Sequence, residues 1–253
     1  MLEQKEESVQ IIRVLTMLLL FVLLTACASH LKQPAIKPIR SIAVIPATNP
    51  KWYSFENAAP PVGYPFQFWV NKVDSKSKAK RFNDAIGSQA NRLGTDFTDE
   101  VVTALRGYGF AVEVLDDVPR PVDDPDNVDY DKISVNSDAI LHIALSEVGL
   151  YSAHLSRQYI PRVNASGKLF IKGRDGTLYD EDICYGVDAK KGKTWAILPD
   201  AGFAYPTFDA VMSRVDEIRS SFSIGAHEIA KRMSEQVTNS ARNSSITLAT
   251  QAQ

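Results

Sequence analysis

Cys27 is the residue of this sequence whose setting best suits covalent chemistry, because a thiolate is a strong nucleophile. It follows Leu24, Thr25 and Ala26 directly, and the two small residues would fit a narrow peptidase site. Residues 14–24 read VLTMLLLFVLL, an uncharged run that would form a helix of roughly 16 Å. Such a helix is too short to cross a hydrocarbon core of about 30 Å, but it suits the apolar region of a signal peptide.

This pattern resembles the lipobox of bacterial lipoproteins, in which Leu24, Thr25 and Ala26 precede the modified Cys27. The resemblance implies that Cys27 takes a diacylglyceryl group, that the chain is cleaved before it, and that its new amino group is acylated, for example with palmitate. Several acyl chains give stable anchoring, whereas one chain binds a membrane only marginally. An ordinary signal peptide or a membrane anchor with a chance cysteine is the alternative interpretation.

The resemblance also predicts where the protein works. In Gram-negative lipoproteins an Asp directly after the modified cysteine favours retention at the inner membrane, and this chain has Ala28 there. We therefore expect a protein anchored by its lipid at the periplasmic face of the outer membrane. We predict a lipoprotein signal peptide (1–26), a lipidated tether (27–39), a single α/β periplasmic domain (40–243) and a disordered tail (244–253).

The composition excludes one broad class of function. The chain has 253 residues, 45% of them hydrophobic, which is enough for a buried core. Its formal net charge is −2, whereas a nucleic-acid-binding protein would usually show a basic excess. We therefore expect no nucleic-acid partner.

Hydrophobic periodicity predicts seven main elements in the order βαββββα. The first helix has an apolar stripe recurring every three or four residues, and Asp175-Gly176 marks a hairpin turn between two alternating strands. The last helix has a possible kink at 220–225. The elements are strands at 40–47, 111–117, 138–152, 162–172 and 177–187, and helices at 82–106 and 208–242.

This order predicts an α+β fold, with a mostly antiparallel sheet of about five strands and two main helices packed on one face. The order, together with the phrases SIAVIPA and LFIKGRDGTLYDED, resembles small α/β domains of envelope lipoproteins. Examples are the curli-secretion lipoprotein CsgG, the penicillin-binding-protein activator LpoB and the N-terminal domain of TolB. The resemblance covers roughly residues 40–240 and includes no catalytic signature.

Neither histidine nor cysteine spacing indicates a catalytic or metal site. The four histidines fit no ligand spacing, and His142 is better interpreted as a hydrogen-bonded core residue. Cys184 lies on a predicted strand and has no partner cysteine once Cys27 is lipidated, so we expect an inert thiol. We predict no enzymatic activity, no metal and no cofactor other than the covalent lipid on Cys27.

An acidic loop repeats part of a calcium-binding pattern. Asn127, Asp129, Asp131 and Asp138 fall at positions 1, 3, 5 and 12 of an EF-hand-like loop. Lys132 stands where the sharp turn of that loop needs Gly, and no flanking helices are evident. A solvated acidic loop is therefore the expected interpretation.

An aromatic segment at residues 50–69 is the best candidate for a contact surface. Its prolines favour irregular structure. The aromatic side chains could form a lid over the sheet, or an exposed patch for a partner or the lipid headgroup region. We adopt the contact surface as the hypothesis. The residues are Trp52, Tyr53, Phe55, Tyr64, Phe66, Phe68 and Trp69.

These observations predict a lipid-anchored binding or assembly accessory factor of a cell-envelope or export machine. Its expected partners are the membrane, through the N-terminal lipid, and either an envelope protein or further copies of itself. The alternative is a ring- or pore-forming secretion subunit similar to CsgG. A periplasmic hydrolase is less well supported, since no paired acid, base or nucleophile stands out.

Overall fold

The sheet is organised around one long strand, β4 (Ala139–Ser152), which is paired along both edges. The computed structural model describes residues 38–57, 65–87, 92–152 and 158–249. The other strands in these ranges are β1 (Ser41–Ile45), β2 (Ser54–Asn57), β3 (Ala111–Val114), β5 (Ile160–Phe170), β6 (Tyr179–Gly186) and β7 (Ala196–Ile197). Their order is β3–β1–β4–β5–β6–β7, with β2 also paired to β4.

The pairing is mixed, so the prediction of a mostly antiparallel sheet of about five strands is only partly right. β1 and β2 follow one another along the same edge of β4, and both run parallel to it. β3 is parallel to β1 and β7 to β6, while the β4–β5 and β5–β6 pairs are antiparallel. Helices separate β1 from β3, and a crossover of this kind favours parallel pairing. The α+β class and the β5–β6 hairpin are confirmed.

Helices cover one face of the sheet, as predicted, but there are four of them in the described ranges where two main helices were expected. The described ranges contain α1 (Pro65–Ile86), α2 (Leu93–Gly107), α3 (Phe208–Ser213) and α4 (Val215–Ala249). All four supply side chains to the main hydrophobic cluster, including Phe82, Phe97, Val211 and Phe222. None of the helices in the described ranges is long and apolar enough to span a membrane.

The two faces of the sheet are covered differently. Ile42 and Val44 of β1 point into the main cluster beneath the helices. Ala43 and Ile45 point to the opposite face, where the loop between β3 and β4 contributes Ile133 to a second, smaller cluster. β1 is therefore buried on both sides, which is why it has no polar alternation.

The helix expected at 82–106 is in fact divided between α1 and α2. Gly87, whose φ is +75°, follows the last residue of α1, and its amide donates to the carbonyl of Asn83. A glycine in the left-handed region is a common helix stop. The predicted stripe is nevertheless buried on both sides of this break, for example at Ile86 and Val101.

The C-terminal helix also differs from the prediction. It is interrupted at Arg214, between α3 and α4, and it runs through the 220–225 stretch to Ala249. Gly225 provides a close contact instead of a kink: a Cβ there would lie 2.6 Å from Cδ1 of Tyr185. The Tyr185 ring can therefore pack directly on the backbone of α4.

Candidate interaction surface

The residues of the lipobox-like motif lie outside the described residues. This holds for Leu24, Thr25, Ala26 and Cys27, so the lipid attachment remains a prediction. Tyr64 of the aromatic segment also lies outside them.

The aromatic segment contains regular structure that its prolines did not predict. β2 occupies Ser54–Asn57, and Pro65 is the first residue of α1, a position where its missing amide hydrogen costs nothing. Phe66, Phe68 and Trp69 therefore lie in the first turns of α1, in the part whose backbone alone is described.

The described aromatic side chains divide between core and surface. Tyr53 is 8% exposed and stacks on Phe222 with ring centroids 5.4 Å apart, and Phe55 is 6% exposed. For these two residues the lid interpretation describes the structure better than the contact surface does. Trp52, by contrast, is 55% exposed and remains available to a partner. The reason is local: Tyr53 and Phe55 alternate toward the core, while the preceding indole points outward.

The face of the sheet opposite the helices carries a network of charges around Arg162. The Arg162 side chain is 10% exposed, and its Nη1 lies 3.0 Å from Oε1 of Glu147 and 3.4 Å from Oε2 of Glu56. Its Nη2 donates to Oδ1 of Asp188 at 3.2 Å, and the guanidinium lies 4.4 Å from the centroid of the Tyr151 ring. One buried cation is thus shared by three carboxylates, which hold it in place as a charge-assisted network.

This network could not be found from sequence spacing. Period-two alternation places Arg162 on the polar face of β5, with Asn164 and Lys168. Its acidic partners come from β2, from β4 and from the loop after β6. Along the chain Glu56 lies 106 residues before Arg162 and Asp188 lies 26 residues after it, and the pairing of the strands brings them together.

Cys184 lies beside this network in an environment that disfavours its thiolate. It is half-buried and faces Asn164 on the neighbouring strand. Burial raises the pKa of the Cys184 thiol, and the negative charges of Asp188 and Asp182 raise it further. The thiol is therefore mostly protonated at neutral pH, which makes it a poor nucleophile.

His142 is a hydrogen-bonded core residue, which confirms its interpretation. Its Nδ1 lies 2.8 Å from the hydroxyl of Tyr130, while its buried Nε2 has no hydrogen-bond partner among the described residues. Burial lowers the pKa of His142 to about 4, and the positive charges of Arg120 and Lys168 act in the same direction.

We expect the His142→Gln variant to change how stability depends on pH. Above about pH 6.5 the imidazole is neutral in both states, but between pH 6.5 and 4 the unfolded chain binds a proton that the folded chain does not. The free energy of unfolding of the unsubstituted protein should therefore fall by about 2 kcal/mol from pH 7 to pH 5 through His142 alone. Urea unfolding at several pH values measures this, and equal pH slopes for the two proteins would contradict it.

The acidic loop is used for capping. Asp129 accepts a hydrogen bond from the amide of Asp131 at 3.2 Å, at the start of a short 3₁₀ turn. Asp138 lies elsewhere: its Oδ2 accepts from the amides of Arg40 and Ser41, each at 2.9 Å. No group of three or more potential metal-ligating side chains occurs within the described ranges.

A surface groove lies between α2 and α4. Its volume is about 380 Å³, and at one side Nδ1 of His227 lies 3.1 Å from Oε2 of Glu100. It is lined by Asp99, Glu100, Thr103, Ala104, Tyr108, His227 and Lys231.

Comparison with known proteins gives structural likeness only. No protein-family model matches the chain, and no curated protein matches it. Among solved structures it is similar to a Xanthomonas campestris protein of the DUF330 family, with 12% identity and a TM-score of 0.41, over 85% of this chain and 92% of that one. It is also similar to the PelC dodecamer of Paraburkholderia phytofirmans, with 11% identity and a TM-score of 0.33, over 79% and 90%.

A third similar structure is a lipoprotein of Neisseria meningitidis. The identity is 14% and the TM-score 0.29, over 74% of this chain and 99% of that one. Scores of this size mark a partial likeness in shape and assign no function to this chain.

Proposed function

We propose that this chain is a lipid-anchored lipoprotein at the periplasmic face of the outer membrane. In this proposal it acts as a binding or assembly accessory factor of a cell-envelope or export machine and catalyses no reaction of its own. The observation on which the proposal rests is Cys27, placed directly after Leu24, Thr25, Ala26 and an apolar run of signal-peptide length.

The architecture of the domain supports a tethered arrangement. Every buried residue of the two hydrophobic clusters in the described ranges lies between Ile39 and Ala241. A domain whose described core begins at Ile39 can be held at a membrane by a lipid and a short tether on its N-terminal side.

Trp52 supports a binding role. Exposed indoles are enriched in protein contacts because they bury much apolar surface and still offer one hydrogen-bond donor. The network of ionisable groups around Arg162 is less suited to catalysis, since its carboxylates share the guanidinium. We therefore assign Trp52, rather than the charged network, to contact with an envelope protein.

The sheet edges favour an accessory factor over a ring-forming subunit. The outer edge of β6 carries Asp180, Glu181 and Asp182 beyond its short pairing with β7, and charges on an edge strand oppose pairing with another chain. At the other edge, Nη2 of Arg106 donates to the carbonyl of Val112 in β3 at 3.0 Å. Part of that edge is therefore already occupied.

Acylation of Cys27 is the decisive test. We expect the full chain, produced in a Gram-negative host supplied with labelled palmitate, to carry the label and to fractionate with the outer membrane. Cys27→Ala should lose the label, because the nucleophile is gone, and Cys184→Ala should keep it. Mass spectrometry of the N-terminal peptide identifies the modified residue. A label that survives Cys27→Ala would overturn the proposal.

A further inference from the structure

One end of the sheet, where the described chain begins, presents exposed arginines. Pro38 and Arg40 precede β1, so the preceding chain joins the domain at the N-terminal end of this strand. The carbonyl of Arg40 accepts a hydrogen bond from the amide of Ala111 at 2.9 Å. The start of β3 and the turn after α2 therefore lie beside the point where the chain enters.

The C-terminal half of α4 reaches the same place. Nη2 of Arg242 donates to the carbonyl of Tyr108 at 3.1 Å, and Arg106 stands two residues before that tyrosine. Arg40, Arg106 and Arg242 are all exposed, and Tyr108 is 38% exposed. We call these four residues the arginine–tyrosine end.

The nearby carboxylates are occupied by local donors. Asp138 accepts from the amides of Arg40 and Ser41, and these bonds keep the pKa of its carboxyl below the usual range. Glu113 accepts from the hydroxyl of Ser137 at 2.7 Å. Within the described ranges no ion pair joins either carboxylate to the three guanidinium groups, although the charge of Arg40 helps to lower the pKa of Asp138. The guanidinium groups of Arg106 and Arg242 each donate a hydrogen bond to a backbone carbonyl, which leaves their positive charges to attract an anionic partner.

We propose that the arginine–tyrosine end binds the surface of an anionic phospholipid membrane. The inference rests on the proposed function, because a lipid on Cys27 holds this end within about 36 Å of the bilayer, the reach of eleven extended residues. Guanidinium groups bind lipid phosphates, and tyrosine is favoured at the headgroup level. The lipid tether raises the effective concentration of the membrane surface near the domain, so even a weak contact would hold this end against the bilayer.

The test uses residues 28–253, which lack Cys27 and retain the whole described core. Co-sedimentation is measured with phosphatidylcholine vesicles and with vesicles that also contain phosphatidylglycerol. We expect partitioning to be about tenfold stronger, or more, on the anionic vesicles, since each basic residue near such a surface strengthens binding severalfold. The variant Arg40→Gln/Arg106→Gln/Arg242→Gln should partition at least about tenfold more weakly onto the anionic vesicles.

The matched control removes the same charge from the opposite end of the sheet. Lys190→Gln/Lys191→Gln/Lys193→Gln changes three exposed lysines after the C-terminal end of β6. This variant should bind the anionic vesicles within about twofold of the unsubstituted fragment, because charges that lie farther from the membrane than the screening length contribute little. Thermal melting checks that both variants fold. Tyr108→Ser keeps every charge and tests the aromatic contribution, with an expected loss of about threefold or more.

Equal partitioning on neutral and anionic vesicles would overturn the inference, as would a lysine control that loses as much as the arginine variant. This experiment is independent of acylation, since the fragment has no Cys27. Failure of the lipidation test and failure of the vesicle test are therefore distinguishable.

Discussion

Phe55→Ala is expected to lower the free energy of unfolding by about 3–5 kcal/mol, while Trp52→Ala, three residues away, should change it by no more than about 0.5 kcal/mol. Both are large aromatic residues of one short segment. The difference in their expected effects comes only from where their rings lie.

The Phe55 ring joins its own strand, β2, to three other parts of the fold. Its centroid lies 5.6 Å from that of Phe82 in α1, 4.8 Å from Tyr159 just before β5, and 5.4 Å from Phe208 in α3. Removing the ring opens a cavity among residues that belong to separate elements and cannot all close in on it. Each lost aromatic pair adds about 0.5–1.5 kcal/mol to the effect of the lost burial.

Urea unfolding of residues 28–253 measures both variants, and Phe55→Leu is the conservative control. Leu restores most of the buried volume, so we expect that variant to lose less than Phe55→Ala. If Trp52→Ala were as destabilising as Phe55→Ala, the indole would be part of the core and could not be assigned to partner contact. An unchanged stability of Phe55→Ala would contradict the aromatic packing itself.

Arg162→Gln is expected to lower the free energy of unfolding by about 2–3 kcal/mol. Loss of one partner of a buried ion pair costs about 3–5 kcal/mol, because the remaining charge is left uncompensated. Here the side chains of Glu56, Glu147 and Asp188 are 50%, 39% and 31% exposed. Solvent therefore screens part of the repulsion between them, and the expected loss of stability is smaller than for a fully buried pair.

Two further variants separate the charge of Arg162 from its shape. Arg162→Lys keeps the positive charge but cannot form the forked contacts, so its loss should be intermediate. Lys168→Gln removes a charge from the same face of β5, where Nζ lies 4.0 Å from Oδ2 of Asp180 and the lysine is 40% exposed. It should change stability by less than about 0.5 kcal/mol.

Salt dependence provides a second readout on Arg162→Gln. The uncompensated carboxylates repel one another, and added salt screens that repulsion. The destabilisation measured by urea unfolding should therefore shrink as ionic strength rises. A loss that is independent of salt would point to missing packing against Tyr151 instead of missing charge.

The sequence by itself was sufficient for features that depend on neighbouring residues. Alternation along 162–172, followed by Asp175-Gly176, predicted the β5–β6 hairpin because both its register and its turn are local. The apolar stripe predicted buried side chains of α2 and of the end of α1, such as Phe97 and Phe82, although the break at Gly87 was missed. The signal-like run before Cys27 is also a local pattern, and it supports the proposed lipid anchor without any tertiary information.

Only the tertiary structure decided which distant segments meet. The parallel pairing of β2 with the C-terminal half of β4 decides that Phe55 faces the core, and the alternation of the segment then leaves Trp52 in solvent. The same pairing brings Glu56 to Arg162, and the meeting of α2 with α4 brings Arg242 to Tyr108. Such contacts form because the chain must bury its apolar surfaces together, and the free energy of that burial depends on the whole fold.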